Sequence, residues 1–113
     1  MLNVVTGASG FLGSALVRAL LAKGETVRAL VRHESDVPAL KGLEVALVRG
    51  DITEPATLDP VFAGADRVYH AAALHSLRDE NPQYNLVNII GTRNVLRAAE
   101  RTGVGRVIYT SCA

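Results

Sequence analysis

Tryptophan is absent from the chain and cysteine occurs once, at Cys112. A single cysteine excludes an internal disulfide. Aromatic residues make up only 4% of the chain, which is rich instead in Val, Leu and Ala. No apolar run approaches the ~18 residues that a membrane helix needs. An excess of one charge is also missing. The formal net charge is +1, and the Arg and Lys residues are scattered. No broad field would therefore draw the chain to nucleic acid or to an anionic membrane. The N-terminal residues carry no basic region and no cleavage site, so no signal peptide and a cytoplasmic location are expected. There is no repeat, no linker and no low-complexity tract, and no metal-ligand set is assigned.

What is present is a core-forming composition, 49% hydrophobic and 20% charged, over 113 residues. That length suits one small domain, taken here as 1–113. Strand and helix signals alternate. Leu2–Thr6 is a short apolar run closed by Gly7 and reads as a buried parallel strand. Phe11 to Lys23 has helical spacing, with Leu12, Ala15, Leu16, Ala19 and Leu20 on one face and Gly24 as a stop. Further strands are read at Thr26–Val31, Glu44–Arg49, Arg67–His70 and Arg106–Thr110. Asp36–Lys41 reads as a short helical turn, and Glu54–Phe62 as a helix with Thr53 as N-cap. A long helix from Pro82 to Thr102 carries Tyr84, Val87, Gly91, Val95 and Ala98 along one face. Such alternation predicts an α/β fold with a doubly wound parallel sheet, Rossmann-like, of five strands in order 3-2-1-4-5. Its ligand crevice lies where the order reverses, between strands 1 and 4.

Gly7, Gly10 and Gly13 recur every third residue between the first strand and the first helix. Gly7 permits a tight turn at φ values that other residues avoid. Gly10 lets backbone approach a pyrophosphate, and Gly13 lets the helix pack closely on the sheet. Free N–H groups and the positive end of the helix dipole then face the phosphates. Ser9, Phe11 and Leu12 belong to the same turn.

The stretch Thr6-Gly7-Ala8-Ser9-Gly10-Phe11-Leu12-Gly13 resembles the TGxxGxxG motif of the extended short-chain dehydrogenase/reductase family. That family includes nucleotide-sugar epimerases and dehydratases and dihydroflavonol-reductase-like enzymes. Four further segments match in order: Gly50-Asp51-Ile52, His70-Ala71-Ala72-Ala73, Asn88 to Leu96, and Val107 to Ser111. The resemblance implies that Asp51 and Ile52 lie beside adenine. It implies that His70, Ala71 and Ala72 lie beside the adenosine ribose and pyrophosphate. It gives Asn88 a structural or active-site hydrogen bond, against the alternative of a surface polar position.

A residue at the end of the second strand decides which dinucleotide is preferred. NAD-dependent sites place an acid there, about 20 residues past the glycines. Here the position holds Arg32, whose guanidinium can take a 2′-phosphate in two parallel hydrogen bonds. The expectation is NADP(H), with NAD kept as the alternative and Ser9 and His33 as helpers. Nearby Glu34 and a merely solvent-exposed Arg32 are the counter-readings. Asp51 has the competing reading of a turn residue ahead of the next helix. His70 reads as packed beside the crevice rather than catalytic, and His75 and Arg78 as solvated in a polar loop.

The resemblance also shows what is missing. The family's chemistry needs a tyrosine and a lysine four residues later. Residues 73, 88 and 113, four past each tyrosine, are Ala, Asn and Ala. The family's catalytic serine position falls on Cys112, or on Ser111 if the register slips by one, and a thiol is the weaker donor. The chain therefore reads as the N-terminal part of such an enzyme, binding cofactor without turnover and lacking the substrate domain. The alternatives are a non-catalytic dinucleotide sensor or a structural fragment with no working site. An exposed apolar fifth strand is expected to pair with a second chain.

Overall fold

The computed structural model describes residues 1–8, 10–32, 40–71 and 82–109; the side chains of 11 and 82–88 lie outside that description. Five strands and three helices follow in the order β1 (Leu2–Thr6), α1 (Phe11–Ala22), β2 (Thr26–Val31), β3 (Ala46–Arg49), α2 (Pro55–Phe62), β4 (Arg67–His70), α3 (Pro82–Thr102) and β5 (Arg106–Tyr109). The sheet is wholly parallel, in the expected order β3-β2-β1-β4-β5. Its first strand is thus its centre, and four of the five β1 residues are buried. Among the described residues no helix is long and apolar enough to cross a membrane.

Successive side chains of a strand point to opposite faces, so a strand covered on both sides feeds two cores. Val4, Leu30 and Val68 join Leu58, Val61 and Phe62 of α2 and Val95, Ala98 and Ala99 of α3. Val5, Val27, Ala29 and Val31 join Val17 and Leu20 of α1 and Leu40. Phe62 is fully buried, and burial of a side chain of this size stabilises by about 1.5–3 kcal/mol. On the α2 side the core is closed by a polar tie. The Arg28 guanidinium reaches from β2 to the carbonyls of Val61 and Ala63, the latter at 2.9 Å, at the C-terminal end of α2. A cation there satisfies orphan carbonyls and suits the negative end of the helix dipole.

Several boundaries and one helix face differ from expectation. Helix α1 ends at Ala22 with Lys23 as C-cap, and β3 starts at Ala46 rather than Glu44. Residues 36–39 of the expected helical turn, and Thr110, lie outside the described residues. The buried side of α1 is Gly13, Ser14, Val17 and Leu20, whereas Leu12, Ala15 and Ala19 are exposed. The physical reason is close approach. Helix and turn meet at Gly13, where a Cβ would strike the turn, so that position faces inward and sets the rotation of the helix, with Ser14, Val17 and Leu20 following it. In α3 the expected stripe holds at Gly91, Val95 and Ala98; the side chains of Tyr84 and Val87 lie outside the description.

Thr53 is not the cap of α2. Glu54 occupies the N-cap position and makes no side-chain cap bond. The Thr53 hydroxyl is drawn back instead to Asp51 Oδ1 at 2.7 Å, which also accepts the Thr53 N–H at 2.9 Å. Asp51 therefore forms a turn with the residue two positions on, a local bond that competes with capping.

Candidate functional site

The C-terminal ends of β1, β2, β3 and β4 converge on one edge of the sheet, where an open α/β sheet binds ligands. Gly7 follows β1 with φ of 66°, the left-handed conformation that a side chain disfavours. Its carbonyl accepts the Gly10 N–H at 3.0 Å and closes the turn. Gly10 is the N-cap of α1, so no side chain at that position occupies the helix's leading N–H groups. There is no acidic residue in the first turn of α1 to repel an anion. Gly13 lies against this turn, not the sheet as expected. A Cβ there would collide with the Gly7 carbonyl and would lie 2.6 Å from its carbon and 2.9 Å from Ala8 Cα. The helix start is thereby pressed onto the turn, and the exposed Gly10 backbone is left open. These features fit the pyrophosphate of a dinucleotide.

On one flank, Arg32 follows β2 and Asp51 follows β3, and the backbone between them is pinned by Gly50 N–H to Val31 carbonyl at 3.0 Å. Arg32 Nε stands 3.7 Å from Asp51 Oδ2. Burial alone would raise the Asp51 pKa, but hydrogen bonds from Thr53 and then the Arg32 charge outweigh it and hold the carboxyl below its ordinary value. Asp51 is therefore ionised at neutral pH and only partly exposed, whereas the Arg32 side chain is 75% exposed.

On the other flank, His70 ends β4 and is buried. Thr6 Oγ1 lies 2.7 Å from Nδ1, and Thr92 Oγ1 of α3 lies 3.1 Å from Nε2. Thr6 Oγ1 also accepts the Ala71 N–H at 3.2 Å, and a neutral imidazole donates to one of the two hydroxyls and accepts from the other, as its tautomer sets. Burial pushes the His70 pKa down to about 4, so the ring is neutral at pH 7 and its hydrogen bonds suit that state. Tyr109 of β5 lies beside it, with ring centroids 5.5 Å apart. Ala71 is buried one residue past His70.

Two positioning residues are missed by the sequence reading. Asn94, buried in α3, donates to the Ile52 carbonyl at 2.8 Å. Gly91, one turn earlier, leaves room for the Ile52 side chain, which a Cβ would strike. Together they seat the Asp51–Ile52 segment on α3. An asparagine inside a helix is a poor helix former and was the available signal. Asn88 falls on α3, with its side chain outside the description. Ser9, His33, Glu34, Ala72, His75, Arg78, Ser111 and Cys112 lie outside the described residues. Among the described residues no group of three His, Cys, Asp or Glu could hold a metal ion.

A family model described as "NAD dependent epimerase/dehydratase family" matches residues 3–113. "Sterol demethylase protein B" of Methylococcus capsulatus is 48% identical over 112 residues, covering 98% of this chain and 34% of that protein. The Citrobacter sp. triphenylmethane reductase complexed with NADP(H) superposes with a TM-score of 0.75 at 26% identity, covering 96% of this chain and 36% of its own. The Bordetella bronchiseptica enzyme WbmH in complex with NAD+ superposes with a TM-score of 0.75 at 29% identity, covering 96% and 38%. The chain spans about a third of the length of the curated relatives it matches.

Proposed function

Because the chain belongs to the NAD dependent epimerase/dehydratase family, we propose that it is the dinucleotide-binding portion of an oxidoreductase or epimerase that moves hydride to or from NADP(H). The observation that carries this is the start of α1: a left-handed Gly7, a glycine N-cap and a first turn free of acidic residues. Gly7, Ser9, Gly10, Phe11, Leu12 and Gly13 would hold the pyrophosphate on backbone N–H groups. Arg32 would take the 2′-phosphate, and Asp51 with Ile52 would border adenine. His70, Ala71 and Ala72 would wall the crevice, with Asn88 beyond them.

The bound dinucleotide supplies the hydride chemistry. The chain's own residues bind and orient it. Lacking a tyrosine followed four residues later by lysine, these 113 residues bind without turnover in this proposal. In this reading the family's serine position would fall on Cys112, or on Ser111 if the register slips by one, and neither is assigned a step.

Calorimetric titration of NADP+ and NAD+ into the wild type and Arg32→Ala tests the reading. NADP+ should bind more tightly, and the variant should lose about tenfold or more for NADP+ while keeping its NAD+ affinity, since a hydrogen bond to a charged group contributes about 1.5–3 kcal/mol. Equal affinity of the wild type for both would sink the preference.

A second copy of the chain is the proposed partner of β5. This strand is a sheet edge among the described residues, its Val107 and Ile108 are only partly buried, and Tyr109 is 52% exposed. Unpaired edges of this kind template association. Sedimentation should show concentration-dependent growth in mass that Ile108→Lys abolishes, and a monomer at high concentration would refute it.

A further inference from the structure

Arg32 does not stand alone at the end of β2. Its guanidinium is met by a carboxylate delivered from the end of the neighbouring strand, and that carboxylate is held in place. Asp51 Oδ1 is committed to the Thr53 N–H and hydroxyl, which aims Oδ2 at Arg32 Nε. The closest approach is 3.7 Å, from Nε, longer than a hydrogen bond, so it anchors the arginine weakly. An exposed pair of this geometry contributes little to stability. A fixed negative charge nevertheless acts at longer range on any anion brought to the same guanidinium, and a 2′-phosphate is dianionic near neutral pH.

We infer that Asp51 is a specificity-determining residue: its carboxylate, fixed by Thr53 and paired with Arg32, offsets the cation that would receive a 2′-phosphate and brings the affinities for phosphorylated and unphosphorylated dinucleotides closer together. The inference rests on the reading of Arg32 given above. It follows from signs and magnitudes. A positioning role would require a short or forked contact, which is not what the pair makes. Counter-charge requires only a carboxylate within a few ångströms of the guanidinium, and Asp51 Oδ2 stands 3.7 Å from Arg32 Nε.

The test is the ratio of NAD+ to NADP+ dissociation constants in the protein carrying Asp51→Asn. The asparagine carbonyl can still accept the Thr53 donors, so the turn persists while the charge goes. Any loss of an adenine contact affects both dinucleotides alike and cancels in the ratio. The ratio should rise about three- to tenfold in favour of NADP+ at low ionic strength, and the rise should shrink at about 1 M salt, where charges are screened within ~3 Å. An unchanged or lower ratio, or a rise that salt does not diminish, overturns the inference. Arg32→Ala separates the two readings. If it leaves the wild-type ratio unchanged, the assignment of Arg32 itself fails. If it collapses the ratio while Asp51→Asn does not raise it, only the role of Asp51 fails.

Discussion

Asn94 and Ile52, 42 residues apart in sequence, are joined by a 2.8 Å hydrogen bond from the α3 side chain to the backbone carbonyl that follows β3. The bond holds the turn bearing Asp51 against the helix, next to the space that Gly91 leaves for the Ile52 side chain. Cutting it with Asn94→Ala should cost about 1–2 kcal/mol, because the part-buried carbonyl loses its donor. Urea denaturation measures this. Dinucleotide titration of the same variant should show weaker binding, since the segment proposed to border adenine is released.

Gly13→Ala sets two effects against each other. Alanine gains roughly 0.5–1 kcal/mol within a helix by reducing backbone entropy in the unfolded chain. The new Cβ, however, meets backbone atoms of Gly7 and Ala8, which cannot rotate away as a side-chain tip can. Overpacking of this kind costs about 1–3 kcal/mol and more where backbone must move. The clash should win, lowering Tm by roughly 10 °C in a calorimetric scan and weakening dinucleotide binding.

The inward face of α1 can be checked by a pair of truncations. Val17 is fully buried and Leu12 is 39% exposed. Val17→Ala should destabilise by about 2 kcal/mol, and Leu12→Ala by less than about 1 kcal/mol, although leucine loses more atoms. The reverse order in chemical denaturation would contradict the observed face.

Acid should weaken the fold through His70. Its folded pKa of about 4 lies below the ordinary 6.5, so between these values the unfolded chain binds more protons than the folded one. Stability is then fully present above about pH 6.5 and falls as pH drops toward 4, by up to about 3 kcal/mol. Urea midpoints taken at about pH 7, 5.5 and 4.5 should follow that slope, and His70→Asn should flatten it while lowering stability at neutral pH. A wild-type midpoint independent of pH over this window would refute the assignment.

Much of this architecture can be read from residue order because its signals are local. Leu2–Thr6, Thr26–Val31 and Arg67–His70 are short segments rich in valine and other strand-favouring residues, and they are strands with those bounds. The glycine turn announces itself for the same reason. What escapes is set by contacts between distant segments. Apolar spacing assigns Leu12, Ala15 and Ala19 to the α1 core, because hydrophobicity cannot register that Gly13 must face inward to let backbone meet backbone. Thr53 has the chemistry of a cap, yet Asp51 two residues earlier takes its hydroxyl. Neither the Asn94–Ile52 bond nor the Arg32–Asp51 pair has a sequence pattern, since each needs the sheet order before its partners meet.

The central place of β1 has a consequence for how the chain is made. Leu2 pairs with Thr26 on one side, and its N–H reaches Asp66, 64 residues on, at the other. Leu2 and its neighbours thus cannot complete their hydrogen bonding until β4, 64 residues further along, has been made. Until then one edge of β1, with Val4 and Val5, is open. Long-range parallel pairing of this kind folds slowly and exposes strand edges meanwhile. Before β4 is made, this open edge of β1 is free to pair with strands of other chains.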